Sequence, residues 1–342
     1  MTLSVHVAHS IHDLNQVEWD EFSAGRAFQS HVWYAFGEKV MGDSPATYLI
    51  VRREDRIVAR ATIWRIHDEP LRLPRPIQAG LHFIFRRRPL LICRSPLAET
   101  SGLILPEGPE RDEARGLIIA AAQEELRRQR GSFLLFDFLG GDQLHWPRDI
   151  KLVTMPAPGT RLNIRWPSFQ SYVEQRSKKG RAHYRRSIAD AEKFGLQLTK
   201  FRCVNDIDTA RALIENVYRE HGAPINPRTR AFLQNLGTVD GTWMELRQGE
   251  KLVGCAATIR DEDVLLGTAL GLAKDCHHAY FRLMYATVQD AFEHGVRTLR
   301  LGSGAYEFKQ RLGFVLEDNN HVGVLGAGPV FAWLSGLAAT GS

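Results

Sequence analysis

The run Tyr48-Leu-Ile-Val-Arg-Arg-Glu-Asp-Arg-Ile-Val-Ala-Arg-Ala-Thr-Ile returns, altered, as Trp243-Met-Glu-Leu-Arg-Gln-Gly-Glu-Lys-Leu-Val-Gly-Cys-Ala-Ala-Thr-Ile, with one residue of slip in the turn. Each copy reads as strand, charged turn, strand, which is a hairpin. A second echo follows. Leu117 to Arg130 is an amphipathic helix closed by Gly131 and followed by the strand Phe133 to Phe138, and Leu283 to Leu301 repeats that pattern. Two copies of one α/β unit predict two related domains. The turn-rich stretch Pro147 to Pro167 places their boundary, giving residues 1–160 and 161–342. With 342 residues in all, each half can bury its own core.

The second copy carries the more telling end. Val264 to Leu272 reads as a buried strand, and Tyr280, Leu283, Met284, Thr287, Val288, Ala291 and Phe292 recur at helical spacing up to a stop at Gly295. Val296 to Leu301 is the next strand, and Gly302 and Gly304 let the chain turn sharply into Tyr306-Glu307-Phe308-Lys309. A β-α-β unit with an open, glycine-rich end is a common place for a ligand.

In the first copy, Met1 to Asp13 alternates like an edge strand, and Trp19, Phe22, Phe28, Trp33, Tyr34 and Phe36 read mostly as core. Residues 67–112, with seven prolines and Arg86-Arg87-Arg88, are expected to form a long irregular insertion, either a functional segment or a solvated loop with its arginines facing water. Ser168 is the expected N-cap of one helix running towards Phe194, with Gly195 as its stop. Its middle, Arg176 to Arg186, holds six cations and no acid. Two more helices are expected over Val204 to Tyr218 and Arg230 to Leu236, and the apolar run Val322 to Ala339 reads as a capping segment rather than a membrane span.

The remaining composition narrows the class. A formal net charge of +5 suits an acidic partner such as nucleic acid, CoA phosphates or an anionic surface. Cys93, Cys203, Cys255 and Cys276 are scattered, which suits reduced thiols, and no metal site is expected. With no secretory pattern at its start and no integral membrane segment, the chain is expected in the cytoplasm.

The helix ending in Glu293-His294-Gly295, the strand, Leu301-Gly302-Ser303-Gly304 and then Tyr306-Glu307-Phe308-Lys309-x-x-Leu312-Gly313 resembles the C-terminal half of GNAT-fold acyltransferases of the Fem type, with the CelD-like acetyltransferases beside them. The basic run and Ala191-Glu192-x-x-Gly195 are its second mark, and Phe28-Gln29-Ser30-His31-Val32-Trp33 is similar to a Fem-type Gln-Ser-x-x-Trp element. The resemblance covers nearly the whole chain. It implies an α/β fold of tandem duplicated GNAT-like domains, mixed sheets flanked by helices, sharing a cleft, with the donor on the second. It also implies that residues 67–112 help to wall the acceptor groove, with Ser95-Pro96 and Ser101-Gly102-Leu103 forming a substrate-lining loop. Two departures stand out. Where peptidoglycan transferases have a lysine four residues beyond that Trp, this chain has Gly37, and the stretch Ala273 to Arg282 lacks the glycines with which typical acetyl-CoA enzymes cradle pyrophosphate.

Acyl transfer needs a fixed donor, a neutral nucleophile and positive charge or N–H donors at the developing oxyanion. Lys309 is the first candidate for that charge; Tyr306 for orienting the donor or protonating the leaving group; Glu307 and His277 for the base. Phe308 looks like the Phe of the family's Phe-Lys pair at the aminoacyl end of the donor. Gly302, Gly304, Asp275 and His278 are expected along the donor, Lys178, Lys179, Arg185 and Arg186 on phosphates, and Tyr218 and Trp33 on the acceptor side. The reading is an acyltransferase moving an acyl or aminoacyl group from a carrier to an amine or hydroxyl of a small-molecule or peptide-like acceptor. Acyl-CoA or aminoacyl-tRNA would be the co-substrate, with no tightly bound cofactor. The alternatives are a Fem-like aminoacyl-tRNA-dependent transferase specifically, or a non-catalytic basic nucleic-acid-binding module.

Overall fold

The computed structural model describes residues 2–70, 75–155, 157–274 and 276–332. The chain divides into two compact units: the first runs to Pro158 and resumes at Asp318, and the second is Gly159–Glu317.

The first unit begins with β1 (Leu3–Ala8), α1 (Gln16–Ser23) and α2 (His31–Met41), then the hairpin β2 (Ala46–Arg53) and β3 (Arg56–Ile66). It continues through α3 (Arg75–Arg87), β4 (Leu90–Cys93), β5 (Leu103–Ile104), α4 (Arg111–Arg128), β6 (Phe133–Leu139) and β7 (Lys151–Thr154). The region expected to be an irregular insertion therefore contains a helix and a central strand. Its prolines cluster outside Leu90–Cys93, which is fully buried and pairs parallel to β6. Ser95 does not line an open loop: its hydroxyl donates to the Phe28 carbonyl at 2.6 Å inside the unit. Trp19, Tyr34 and Tyr48 surround the buried Arg60, whose guanidinium lies 3.5 Å over the Trp19 ring.

The second unit holds β8 (Thr160–Asn163), α5 (Phe169–Glu174), α6 (Lys178–Lys193), β9 (Leu196–Phe201), α7 (Ile207–Glu220), α8 (Thr229–Asn235) and the hairpin β10 (Gly241–Gln248) and β11 (Lys251–Asp261). Then come β12 (Val264–Leu272), α9 (His277–Glu293), β13 (Thr298–Leu301), α10 (Tyr306–Arg311) and β14 (Val315–Leu316). The single helix expected from Ser168 is two. Ser168 caps α5, but Ser177 adopts extended backbone and accepts from the Gly180 N–H, so a second helix starts there. The chain ends in β15 (His321–Gly326). This strand lies between β6 and β7 in the first unit's sheet, where the sequence suggested a capping segment of the second domain. Val322, Val324 and Leu325 are buried there. The rest of that segment beyond residue 332 lies outside the described residues.

Among the described residues the first sheet has the order β1-β2-β3-β4-β6-β15-β7 with β5 paired to β3, and the second β14-β8-β13-β12-β11-β10-β9. Each contains one parallel pair, β4 with β6 and β12 with β13, because each crossover passes through a helix. Ala114, Ile118 and Ala122 of α4 and Ala279, Leu283 and Ala286 of α9 repeat every three to four residues and pack into their unit's core.

The two hairpins match closely. Both join a strand of 8 residues to one of 11. Each has a register shift at the same place, between Val51 and Arg52 and between Leu246 and Arg247, leaving Val58 and Val253 as the extra residues. Glu54 and Gly249 begin equal two-residue turns with φ of 53° and 57°, so no slip falls in the turn.

Candidate active site

Within the second unit, β12 and β13 part company. Their parallel register runs from Val264 with Thr298 to Gly267 with Leu301 and stops, while β12 continues to Leu272. At that point β12 also bulges: Ala257 faces Ala269 and Thr258 faces Gly267, leaving Thr268 as the extra residue. Among the described residues, the backbone groups of 268–272 on the β13 side thus have no strand partner. A gap of this kind can hold an extended ligand by main-chain hydrogen bonds.

The first unit closes the matching place. There the parallel pairing ends at Cys93 with Phe136, and the next residues are Arg94 and Asp137. The Arg94 guanidinium reaches Asp137 at 3.5 Å and holds Glu69 in a two-pronged pair at 2.8 and 2.6 Å. Burial, only partly offset by Arg94, pushes the Asp137 carboxyl up to about 7. In the second unit the corresponding residues are Thr268 and Gly302, which carry no charge and little bulk.

After β13 the corner turns as expected. Gly304 has φ +92°, and Ala305 follows at φ 47° as the residue before α10. Lys309 is buried, and its ammonium donates to the Gly302 carbonyl, tying α10 back to the corner. Phe308 faces the other way into a cluster with Phe281 at 5.0 Å, Tyr280 at 5.6 Å and His183 at 5.7 Å. Tyr306 is half-buried at the start of α10, whereas Glu307 is exposed and paired with Arg311.

His183 was not singled out by sequence. It lies on α6 with Nδ1 2.9 Å from the Tyr285 hydroxyl, and its ring packs edge-on to Phe281 at 4.8 Å. Burial, then Arg311 and Arg186, hold its pKa below the ordinary imidazole value, which favours the neutral ring. The available signal was the flank His183, Ser187, Asp190 at helical spacing, polar yet turned towards α9. His278 meets that flank too, stacked on Phe194 at 4.4 Å with Nδ1 3.7 Å from Asp190.

Lys178, Lys179, Arg185 and Arg186 are exposed on α6, and their sevenfold spacing puts them on one face. Lys178 and Lys179 occupy the first turn with no acid beside them, so they add to the positive end of the helix dipole. Other expectations fare differently. Trp33 is buried between Phe28 and Phe36 with its indole N–H on Ser95 at 3.0 Å, so it is closed to a substrate as the chain stands. Tyr218 is half-buried in the last turn of α7. His277 opens α9, and Asp275 lies outside the described residues. Cys276 has its thiol pushed up by burial, unlike an activated nucleophile. A cavity of about 470 Å³ also opens beside Asp206, Arg247, Lys251 and Lys274, without any of these candidates in its lining.

Residues 178–310, from the first turn of α6 into α10, match the family model of the acetyltransferase (GNAT) domain. This stretch is a GNAT domain. It contains both the parting of β12 from β13 and the basic helix, and it makes the chain a transferase. Solved structures resemble the whole chain in fold. FemX has a TM-score of 0.59 at 11% identity, over 93% of this chain and 96% of its own. A tandem GNAT protein from the clavulanic acid biosynthesis pathway gives 0.58 at 14%, over 96% and 99%. The C-terminal domain of a putative lysylphosphatidylglycerol synthetase from Agrobacterium fabrum gives 0.56 at 12%, over 97% of each. A comparison with curated proteins finds no match. The fold is thus α/β with two GNAT-like units and mixed sheets: the internal repeat predicted the two related units, and the family resemblance implied their GNAT-like form.

Proposed function

We propose that this protein transfers an acyl or aminoacyl group from a phosphate-bearing carrier to an amine or hydroxyl of a small-molecule or peptide-like acceptor, with the acyl end held in the β12/β13 opening of the GNAT domain. The observation that carries this reading is the end of the parallel register at Gly267 and Leu301 beside the bulge at Thr268. Backbone N–H groups there supply hydrogen bonds for the carrier and for the developing oxyanion without side-chain help. The acceptor's lone pair attacks the acyl carbon, the acceptor loses a proton, and the bond to the carrier's sulfur or oxygen breaks with its electron pair going to that atom, which takes up a proton as it leaves. His183, favoured as the neutral ring beside Phe308, is the group we assign to receive that proton. Lys309 fixes the corner through Gly302.

The carrier is acyl-CoA or an aminoacyl-tRNA, both present in the cytoplasm, where we place the protein. The tRNA reading is favoured by the absence of glycine from Ala273 to Arg282 and by the exposed row Lys178, Lys179, Arg185 and Arg186. A ligand that binds only the folded chain raises its melting temperature. Thermal melts with acetyl-CoA, longer acyl-CoAs and bulk tRNA at one low salt concentration therefore decide between carriers. A rise with CoA esters alone selects the acyl-CoA enzyme, and a rise with tRNA alone selects the aminoacyl enzyme. No rise with either would overturn the carrier assignment.

A further inference from the structure

The first unit carries a surface that the transfer chemistry does not use. Along α3, Ala79, Phe83, Arg86 and Arg87 are exposed at spacings of four, seven and eight residues, which places them on one face. Phe85 is buried on the opposite face, with Leu81 and Ile84 half-buried. Phe83 leaves 60% of its surface in water, and the Arg87 guanidinium sits 3.8 Å over its ring. Arg88 follows, also exposed, 4.9 Å over the Phe331 ring and 3.4 Å from the Arg130 carbonyl. Beside Phe331, Val330 is 66% exposed.

The charges here are unbalanced. Arg86, Arg87, Arg88 and Arg130 are exposed, and among the described residues none makes an ion pair. Their neighbours Arg127 and Arg128 are matched by Glu124 and Glu125 at 2.6 Å, so the imbalance is local to the end of α3. Large apolar side chains pointing outward between unpaired arginines suit a boundary where phosphates and hydrocarbon lie a few ångströms apart.

We propose that this face of α3, with Val330 and Arg130, docks the protein reversibly on an anionic phospholipid bilayer. The guanidinium groups meet lipid phosphates, while the Phe83 ring and Val330 enter the acyl boundary. Nucleic acid fits the same charge less well. Arg87 already covers one face of Phe83, and Ala79 and Val330 offer a base nothing to stack on. Four cations and two apolar side chains give an association that salt weakens, not a permanent anchor.

The test is co-sedimentation of the full chain with vesicles of phosphatidylcholine alone and of phosphatidylcholine mixed with phosphatidylglycerol. The protein is expected to pellet with the mixed vesicles at low salt, to be released at high salt, and to stay in solution with phosphatidylcholine alone. Each arginine removed near an anionic surface weakens partitioning by roughly fivefold. Arg86→Ala with Arg87→Ala should therefore cost more than about tenfold, and Phe83→Ser should weaken binding at unchanged charge. Lys178→Ala with Lys179→Ala, on the second unit, should leave vesicle binding as it was. Since all these side chains are exposed, unchanged melting curves will show that the variants fold. Absence of pelleting, equal pelleting with both vesicles, or unchanged binding by the α3 variants would overturn the proposal. So would tRNA retention, without vesicle binding, that is lost in Arg86→Ala/Arg87→Ala.

Discussion

The Lys309 ammonium is buried and donates to the carbonyl of Gly302, seven residues earlier, closing the corner between β13 and α10. Replacing it with Met keeps the stem but leaves that partly buried carbonyl short of a donor, a loss of about 1–3 kcal/mol. Lys309→Met is therefore expected to melt at lower temperature and to lose most turnover together, because Phe308 and Gly302 move with α10. Retained turnover with a lowered melting temperature would show that the corner is structural only.

Gly37 and Pro96 explain a departure from the Fem pattern. A Cβ at Gly37 would come within 2.4 Å of the Pro96 ring, so α2 approaches the chain after β4 too closely for any larger residue. Gly37→Lys is expected to destabilise the first unit by at least about 1–3 kcal/mol, as overpacking does. The prediction is checked by urea denaturation. A lysine tolerated without loss would mean that this contact opens readily.

The four exposed cations of α6 make a different kind of prediction. Lys178→Ala, Lys179→Ala, Arg185→Ala and Arg186→Ala combined should leave stability nearly unchanged, by about 0.5 kcal/mol or less for each exposed site. Carrier binding should weaken, and its dependence on salt should flatten, because the variant neutralises fewer phosphates and so releases fewer counterions. The slope of log affinity against log salt, measured with tRNA and with an acyl-CoA, reads this directly. An unchanged slope with both would remove α6 from the carrier site.

Much of the fold could be read in the sequence because the copies keep local signals. Tyr48 and Trp243, both fully buried, stand third in matching strands, and the charged turns at Glu54 and Gly249 mark both hairpins. What escaped depends on distant partners. Val322 to Gly326 is apolar enough to cap or to pair, and only β6 and β7 on either side make it an interior strand. The proline-rich stretch hid Leu90–Cys93, four residues whose burial comes from both faces of the sheet. His183 looked like one more basic residue in a cationic run, yet Tyr285 and Phe281, about a hundred positions away, give it a half-buried setting.

Neutral His183 sets an expected pH dependence. Its pKa is held below the usual imidazole value, so the fraction able to accept a proton falls only as pH drops through a value lower than that of a free histidine. Turnover per site should fall on an acid limb placed there. In His183→Gln that limb should vanish along with most activity, while melting changes little. An identical acid limb in the variant would assign it to another group.

Asp137 is placed to make stability, rather than turnover, depend on pH. Burial raises its carboxyl from 3.8 to about 7, with Glu69 adding to the rise and Arg94 opposing it. Between those values the native state keeps a proton that the unfolded chain has released, so the unfolded state binds fewer protons and stability falls as pH rises. The contribution is fully present below about 4 and lost by about 7, a change of at most a few kcal/mol given the Arg94 coupling. Asp137→Asn removes the titration while Arg94 keeps its pair with Glu69. Denaturation across that range should give a flatter profile for the variant, at least as stable as the parent on the alkaline side. Parallel profiles would mean that Asp137 is ionised throughout and that Arg94, not burial, governs it.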